Sequence, residues 1–452
     1  MTIAGVEKSR GTATLYDELG PVREELNKCM KCGNCMAVCP VYLTDKAEAG
    51  VARGKIAVAE AVLSGELDIV DPDVVAMLFN CLVCKSCMQN CPTKVNFDRI
   101  MLALRAAIVR KKGLHPLKNM IFSLLKQPKL FDAGMKVGAA LQGLAFRDDP
   151  SKKAISPRSP FAFVGKNYGF DLHRSLPELA PTPFRDWVPE VVKVKDAKTR
   201  AAFFTGCSVN YFYPQVGEDV VEVFKENRVQ INIPKDQQCC GIAVFVHGDV
   251  KTVRELARKN LDAMEKSGAE YLVTACGSCG GAWQHEYSEL LGDDPVYGPK
   301  AAYWSARTYD ISTFLTKVID YRLPTGKVEA VVTYHDSCHL KKTMKVSQEP
   351  RQILMSIPGV KFKEMAKPDA CCGSGGSYLL THYDTSKEIA QRKVADINQT
   401  QADQVTTGCP ACMMQLLDHV GRFGRGQKIA HYISLLAESY RREKSGGNGN
   451  VR

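Results

Sequence analysis

The chain has no run of about 18 consecutive apolar residues, the length a membrane-crossing helix needs, so no such helix is expected. Its opening stretch, MTIAGVEKSRGTATLYDELG, lacks the apolar centre of a secretory signal, so none is expected there. No G-x-G-x-x-G stands between a strand pattern and a helix pattern, so the chain is not expected to bind flavin or nicotinamide itself. Acidic residues are in deficit, 49 against 60 Lys and Arg, which leaves a formal charge of +11. Such a balance fits nucleic acid, an anionic membrane surface or an acidic partner protein. The basic residues are spread out and no nucleic-acid motif accompanies them, so nucleic acid is set aside. The 452 residues, 45% of them hydrophobic, suffice for two or three domains with ordinary cores.

What the chain has in excess is cysteine, 18 in all. Most sit in C-x-x-C spacings, which bring thiolates onto one metal centre and make poor partners for distant disulfides. A reducing cytoplasm is therefore the expected compartment. CMKCGNCMAVCP begins at Cys29, and CLVCKSCMQNCP begins 52 residues later at Cys81. Both are the C-x-x-C-x-x-C-x-x-x-C-P run that binds [4Fe–4S] clusters, with the fourth cysteine of each run serving the other cluster. On that rule Cys29, Cys32, Cys35 and Cys91 hold one cluster, and Cys81, Cys84, Cys87 and Cys39 hold the other. A pair of zinc sites is the competing reading, and two full copies with C-P endings argue against it.

The 41 residues between the runs contain a helical pattern, RGKIAVAEAVLSGEL, which points to an all-helical ferredoxin rather than a β-rich one. A short arm and an entry helix precede them. After Cys91 the stretch from Phe97 to Phe131 is helical and basic, with Arg105, Arg110, Lys111, Lys112, Lys118, Lys126 and Lys129. It reads as a packed helix pair with solvated lysines, or as a docking face for a membrane surface or partner. From about Arg147 to Lys198, seven prolines (Pro150, Pro157, Pro160, Pro177, Pro181, Pro183, Pro189) predict an extended linker wrapping the surface.

From residue 200 strands and helices alternate, and the order repeats after 131 to 133 residues: Cys207 matches Cys338, Cys239 matches Cys371, and Cys276 matches Cys409. The ten remaining cysteines fall into two sets, Cys207, Cys239, Cys240, Cys276, Cys279 and Cys338, Cys371, Cys372, Cys409, Cys412. Each set is expected at the carboxyl edge of an open α/β sheet, where ligands bind. Gly241 and Gly373 are expected to let backbone approach a cluster closely. Five thiols with two adjacent point to an opened or distorted cluster. His335, Asp336 and His339 flank Cys338 and are expected to orient the loop by hydrogen bonds, with a ligand or proton-donor role as the alternative. His247 and His382 read as structural or surface histidines.

The spacing C-x(31–32)-C-C-G-x(34–35)-C-x-x-C resembles the cysteine-rich CCG domain family. That family includes catalytic subunits of heterodisulfide reductases and iron–sulfur subunits of glycolate oxidase, D-lactate dehydrogenase and anaerobic glycerol-3-phosphate dehydrogenase. The whole arrangement, over about residues 20–440, resembles both the glycolate oxidase subunit and the fused catalytic subunit of heterodisulfide reductase. ARGKIAVAEAVLSGE and HEYSELLGDDPVYGPKAAYWSARTYDISTFL look most like the glycolate oxidase branch. Subunits of that branch often lack one C-x-x-C cysteine; here both sets are complete, as in heterodisulfide reductase.

The resemblance implies an α+β multidomain chain. It has a helical ferredoxin domain with basic helices (1–146), a linker (147–199) and two Rossmann-like CCG halves (200–326, 327–452). It implies two [4Fe–4S] clusters and one or two further iron–sulfur clusters, non-cubane in the heterodisulfide reductase manner. The function implied is electron transfer from an FAD-binding dehydrogenase subunit, which oxidises D-lactate or glycolate, to a quinone, a membrane cytochrome or another carrier. The alternative implied is disulfide reduction at a CCG cluster. The location implied is cytoplasmic, either free or peripheral on the inner face of the membrane.

Overall fold

The computed structural model describes residues 19–149, 154–159 and 174–446. The amino-terminal arm and the linker prolines Pro150 and Pro160 lie outside the described residues.

Up to Ala145 the described chain forms helices and loops only. In Ala52–Ser64 the buried positions Ala52, Lys55, Ile56 and Ala59 follow the three-and-four spacing of one helix face, and Gly65, at φ 85°, ends the helix. Asp71 caps Pro72–Phe79 by accepting from the N–H groups of Asp73 and Val74, with proline at the first position. Phe97–Lys112 runs through the middle, burying Phe97, Ile100, Met101, Leu104 and Ile108.

The basic stretch is three helices rather than two, because Gly113 and the prolines at Pro116 and Pro128 divide it into Phe97–Lys112, Pro116–Leu125 and Pro128–Ala145. Neither reading of its charges holds throughout. Arg105 is buried at 3% exposure, Lys118 is half-buried against His247, and Lys111 and Lys126 pair with Asp68 and Glu255. The exposed side of the second and third helices instead carries Leu117, Met120, Ile121, Leu130, Val137, Leu141 and Leu144.

Strands β1 (Phe146–Asp149) and β2 (Ala154–Pro157) form an antiparallel hairpin. The rest of the linker does more than wrap the surface: Phe184 is fully buried, the N–H of Ser175 donates to Asp418, and β3 (Val191–Val192) adds an antiparallel edge to the first sheet.

The first sheet continues with β4 (Thr199–Phe204), β5 (Val229–Asn232), β6 (Tyr271–Thr274) and β7 (Thr308–Asp310) in the order β3-β5-β4-β6-β7. The second contains β8 (Ala330–His335), β9 (Val360–Phe362), β10 (Gln404–Thr407) and β11 (Lys428–His431) in the order β11-β10-β8-β9, all parallel. Leaving out the added edge, the two orders are the same, so the sequence repeat is a repeat of topology. Along β4, Ala202 and Phe204 enter one core while Ala201 and Phe203 enter another, the alternation of a sheet covered on both faces. The first core also takes in the helices before residue 112 and parts of both sheets, so the cysteine runs and the sheets are packed together rather than strung apart. Gly248 marks one seam: it sits at φ +87°, and a Cβ there would come 2.3 Å from the Arg105 carbonyl oxygen.

Candidate metal centres

The two cysteine runs fold alike. Lys31 and Gly33 flank Cys32 with φ 55° and 84°; Val83 and Lys85 flank Cys84 with φ 51° and 61°. A left-handed β-branched residue is uncommon and costs energy, so the surroundings must impose Val83's conformation. It turns the Val83 N–H onto Cys81 Sγ at 3.4 Å. One cavity is lined by Cys29, Cys32, Cys35, Cys87 and Cys91 together with Ile56, Val95 and Phe97. A second is lined by Cys39, Cys81, Cys84 and Cys87 with Val41 and Leu82. The fourth cysteine of each run thus crosses to the other run's cavity.

These residues fit an iron–sulfur cube. Zinc too takes four thiolates, but two C-x-x-C-x-x-C-x-x-x-C-P runs, each sending its fourth cysteine to the other's cavity, are the arrangement of a two-cluster site. The cubes and their thiolates are anionic, and buried cations stand beside the sulfurs. Lys55, with no exposed surface, donates to the carbonyls of Gly50 (2.5 Å) and Ala49 (3.1 Å). Burial holds its ammonium below the usual range, and the neighbouring Cys81 and Cys39 work against that. Arg105 donates to the carbonyls of Leu78 (2.9 Å), Cys81 (2.8 Å) and Val246 (2.7 Å). Lys342, from the second sheet's half, donates to Ser86 Oγ at 2.5 Å. Burial pulls Lys342 down, but Cys84, Cys338 and Cys371 outweigh it and hold the ammonium above its ordinary range. Lys85 pairs with Asp98 (2.9 Å) and Glu286 (3.4 Å), and burial pushes Glu286 up to about 7. Sequence reading missed these cations, although Lys55 carried a signal: it falls on the apolar stripe of its helix.

The other ten cysteines gather just past the carboxyl ends of β4, β6, β8 and β10, and in the loops that follow β5 and β9. Cys207 and Cys338 lie three residues beyond their strands rather than at the strand ends. Cys276 and Cys409 lie two residues beyond theirs and open the helices Gly277–Gly281 and Pro410–Phe423. The N–H of Gly241 reaches Cys239 Sγ at 3.4 Å, and that of Gly373 reaches Cys371 Sγ at 3.3 Å. A Cβ at either glycine would strike the helix behind, at Val253 or the Ser386 carbonyl, so these glycines relieve crowding there.

In the first set the thiols follow one another, Cys207 against Cys239, Cys240 against Cys279, and Cys279 against Cys276. The second set is arranged differently. Cys372 meets Cys412 and His335, while Cys371 turns outward to Cys84 of the ferredoxin run. That contact draws the Cys84 thiol down to about 5 and pushes Cys371 up. Burial pushes Cys338 up to about 12. The two sets meet at Cys276 and Cys409, whose sulfurs are 4.0 Å apart. Ser278 Oγ lies 3.7 Å from Cys409 Sγ and 3.1 Å from His339 Nδ1. Of the two cysteine sets, the second therefore meets a ferredoxin run through Cys371 and Cys84, and the first meets the second through Cys276 and Cys409.

Asp336 and His339 orient their loop as expected. Arg351 clamps both oxygens of Asp336 at 3.0 Å, and His339 reaches Ser278 across the two halves. His335 meets the Cys372 sulfur, while its Nδ1 is buried without a hydrogen-bond partner. His247 is structural, bonded to Lys118 and Ser377, and His382 stacks on Tyr378 with ring centres 4.5 Å apart.

The 4Fe-4S dicluster domain family matches residues 25–95, and the cysteine-rich domain family matches residues 201–283 and 332–417. The probable glycolate oxidase iron-sulfur subunit of Bacillus subtilis is 31% identical over 420 residues, covering 92% of this chain and 94% of that protein. A subunit of the dihydromethanophenazine:CoB–CoM heterodisulfide reductase of Methanosarcina mazei is 27% identical, covering 92% of this chain and 94% of that one. Lactate utilization protein A of Halalkalibacterium halodurans is 30% identical over 237 residues, 52% of this chain and 96% of that protein. The chain carries a 4Fe-4S dicluster domain and two cysteine-rich domains, with no helix among the described residues long and apolar enough to cross a membrane. With a match that runs from the dicluster domain through both cysteine-rich halves, the chain belongs to the family of glycolate oxidase iron–sulfur subunits.

Proposed function

We propose that this chain is the iron–sulfur electron-transfer subunit of a flavoprotein 2-hydroxy-acid dehydrogenase acting on D-lactate or glycolate, placed in the cytoplasm and passing electrons to a quinone or another carrier. Cys29, Cys32, Cys35 and Cys91 hold one [4Fe–4S] cluster, Cys39, Cys81, Cys84 and Cys87 the second, and the two sets of five hold the further iron–sulfur centres. We divide the chain as helical ferredoxin domain, linker and two CCG halves. When bound, such clusters supply one-electron acceptance and release. The observation that carries the reading is the placing of thiols from the ferredoxin runs through both cysteine-rich sets, with contacts at Cys84 with Cys371 and at Cys276 with Cys409.

The chain's own residues set the conditions along that line. Val83, Gly241 and Gly373 aim N–H groups at sulfur, and Lys55, Arg105 and Lys342 place positive charge beside it. Both favour the reduced, more negative state. A unit charge within about 8 Å, at an effective dielectric constant of about 20, is worth on the order of 2 kcal/mol, or about 90 mV for a one-electron centre. Lys342→Met is therefore expected to lower the midpoint potential of the nearer ferredoxin-type centre by on the order of 90 mV. An EPR-monitored redox titration reads this; an unmoved potential would rule out the charge argument.

Anaerobic native purification, with the co-purifying chains identified by mass spectrometry, tests the function. The expected result is an FAD-binding dehydrogenase subunit, and bleaching of the visible iron–sulfur absorption by D-lactate or glycolate. A cytochrome b or hydrogenase-type partner without a flavoprotein overturns it. That outcome would favour disulfide reduction, the reading supported by the two complete cysteine sets and by the likeness to the heterodisulfide reductase subunit.

A further inference from the structure

The two cysteine-rich halves share strand order and cysteine spacing, but not the residue three positions before their first cysteine. In the first half it is Phe204, which packs edge-on against Trp283 with ring centres 5.5 Å apart. In the second it is His335, the last residue of β8. A ring nitrogen of His335 and the sulfurs of Cys372 and Cys412 lie within 4.8 Å of one another, and all three residues are buried.

One side of this imidazole meets the Cys372 sulfur. Its Nδ1 is buried with no hydrogen-bond partner. Its register neighbour across β10, Thr407, likewise holds a buried Oγ1 without a partner. An unpaired buried polar atom costs about 1–3 kcal/mol, so the Nδ1 of a histidine set against two thiols calls for a partner that the described residues do not supply. The surrounding loop is held independently, by the Asp336–Arg351 clamp and the His339–Ser278 bond, so His335 is not needed for that task.

We propose that His335 is an iron ligand of the second cysteine-rich centre, which it holds together with Cys372 and Cys412. The centre is then of mixed histidine–thiolate ligation, while the first set is thiolate only. A neutral imidazole forms its bond with a nitrogen lone pair and, taking the place of Cys371, which turns outward to Cys84, brings no negative charge to the centre. Histidine in place of cysteine raises the potential of an iron–sulfur centre. The two halves are thereby made unequal, and the one whose cysteine meets Cys84 becomes the more readily reduced. This inference rests on the reading that the second set holds iron.

The test uses the full chain, isolated anaerobically, in wild-type, His335→Phe and His335→Cys forms. Iron and sulfide are assayed, and pulsed EPR for nitrogen hyperfine coupling is run in both oxidised and dithionite-reduced states. The expected result is a strongly coupled nitrogen on one centre of the wild-type protein, which changes to a 15N pattern when the chain is grown on 15N-imidazole histidine. It is absent from both variants, while the two ferredoxin-type signals persist. If iron exceeds the content of two cubes but no strong histidine coupling is seen in either state, or if the coupling survives His335→Phe, the ligand assignment is overturned while the iron reading stands. Iron for two cubes alone overturns both. The isotope exchange needs no variant, so a misfolded substitution does not block the answer.

Discussion

Cys84→Ser is expected to disturb two centres where Cys32→Ser disturbs one. Both cysteines stand second in their runs and both line a cysteine-rich cavity. Cys32, however, is exposed at the outer end, while Cys84 is buried against Cys371 of the second cysteine-rich half. EPR of the reduced protein should therefore lose one ferredoxin-type signal in either variant, and only Cys84→Ser should also change the features of the cysteine-rich centres. Substrate-driven reduction of the carrier should fall by more than about 100-fold in Cys84→Ser, beyond the 10–100-fold typical of losing an outer partner of a ligand. Unchanged cysteine-rich features in that variant would remove the junction from the proposed line. Survival of both ferredoxin-type signals in either variant would refute the ligand assignment.

Arg105→Met should be the most destabilising single change outside the cysteines. The guanidinium reaches Leu78 and Phe79 at the end of the helix Pro72–Phe79, Cys81 at the start of the second run, and Val246 at the end of the short helix after the first Cys-Cys-Gly. Its removal leaves several buried carbonyls unpaired and takes away the counter-charge beside Cys81. A loss of about 3–5 kcal/mol is expected, the range for breaking a buried charged contact from one side. Lys129→Met, on an exposed helix face, should stay within about 0.5 kcal/mol. Anaerobic denaturant titration of the loaded proteins compares them. A cost below about 1 kcal/mol for Arg105→Met would mean that the seam is held by apolar packing alone.

The likeness of the two cysteine runs was legible because it depends on local spacing, and each run closes its own loop. The repeat of strand order was legible for the same reason: each βα unit writes its own period. Adjacency between units was not. Nothing in the spacing says that Cys371 faces Cys84 or that Cys409 faces Cys276, because those contacts arise from packing between segments hundreds of residues apart. Arg105 was read with the solvated basic residues, since a charge on an amphipathic helix is normally outside. Only its carbonyl partners, drawn from two other segments, explain its burial. His335 was grouped with Asp336 and His339 because all three flank Cys338. Their separate fates were decided by Arg351, Ser278 and the strand register, none of which is a sequence neighbour. The edge strand β3 was hidden because its two valines sit among prolines.

The buried ammonium and guanidinium groups beside the thiols bear on how long a copy of this protein persists in a cell. Lys55, Arg105 and Lys342 are tolerated in a dry interior because the sites next to them carry opposite charge. A chain stripped of its clusters by oxidation keeps the cations and loses most of that charge, so the segments holding them should open first. Oxygen damage would then expose unfolded backbone to proteases, and removal of spent copies would follow from the electrostatics of the interior without a dedicated recognition signal.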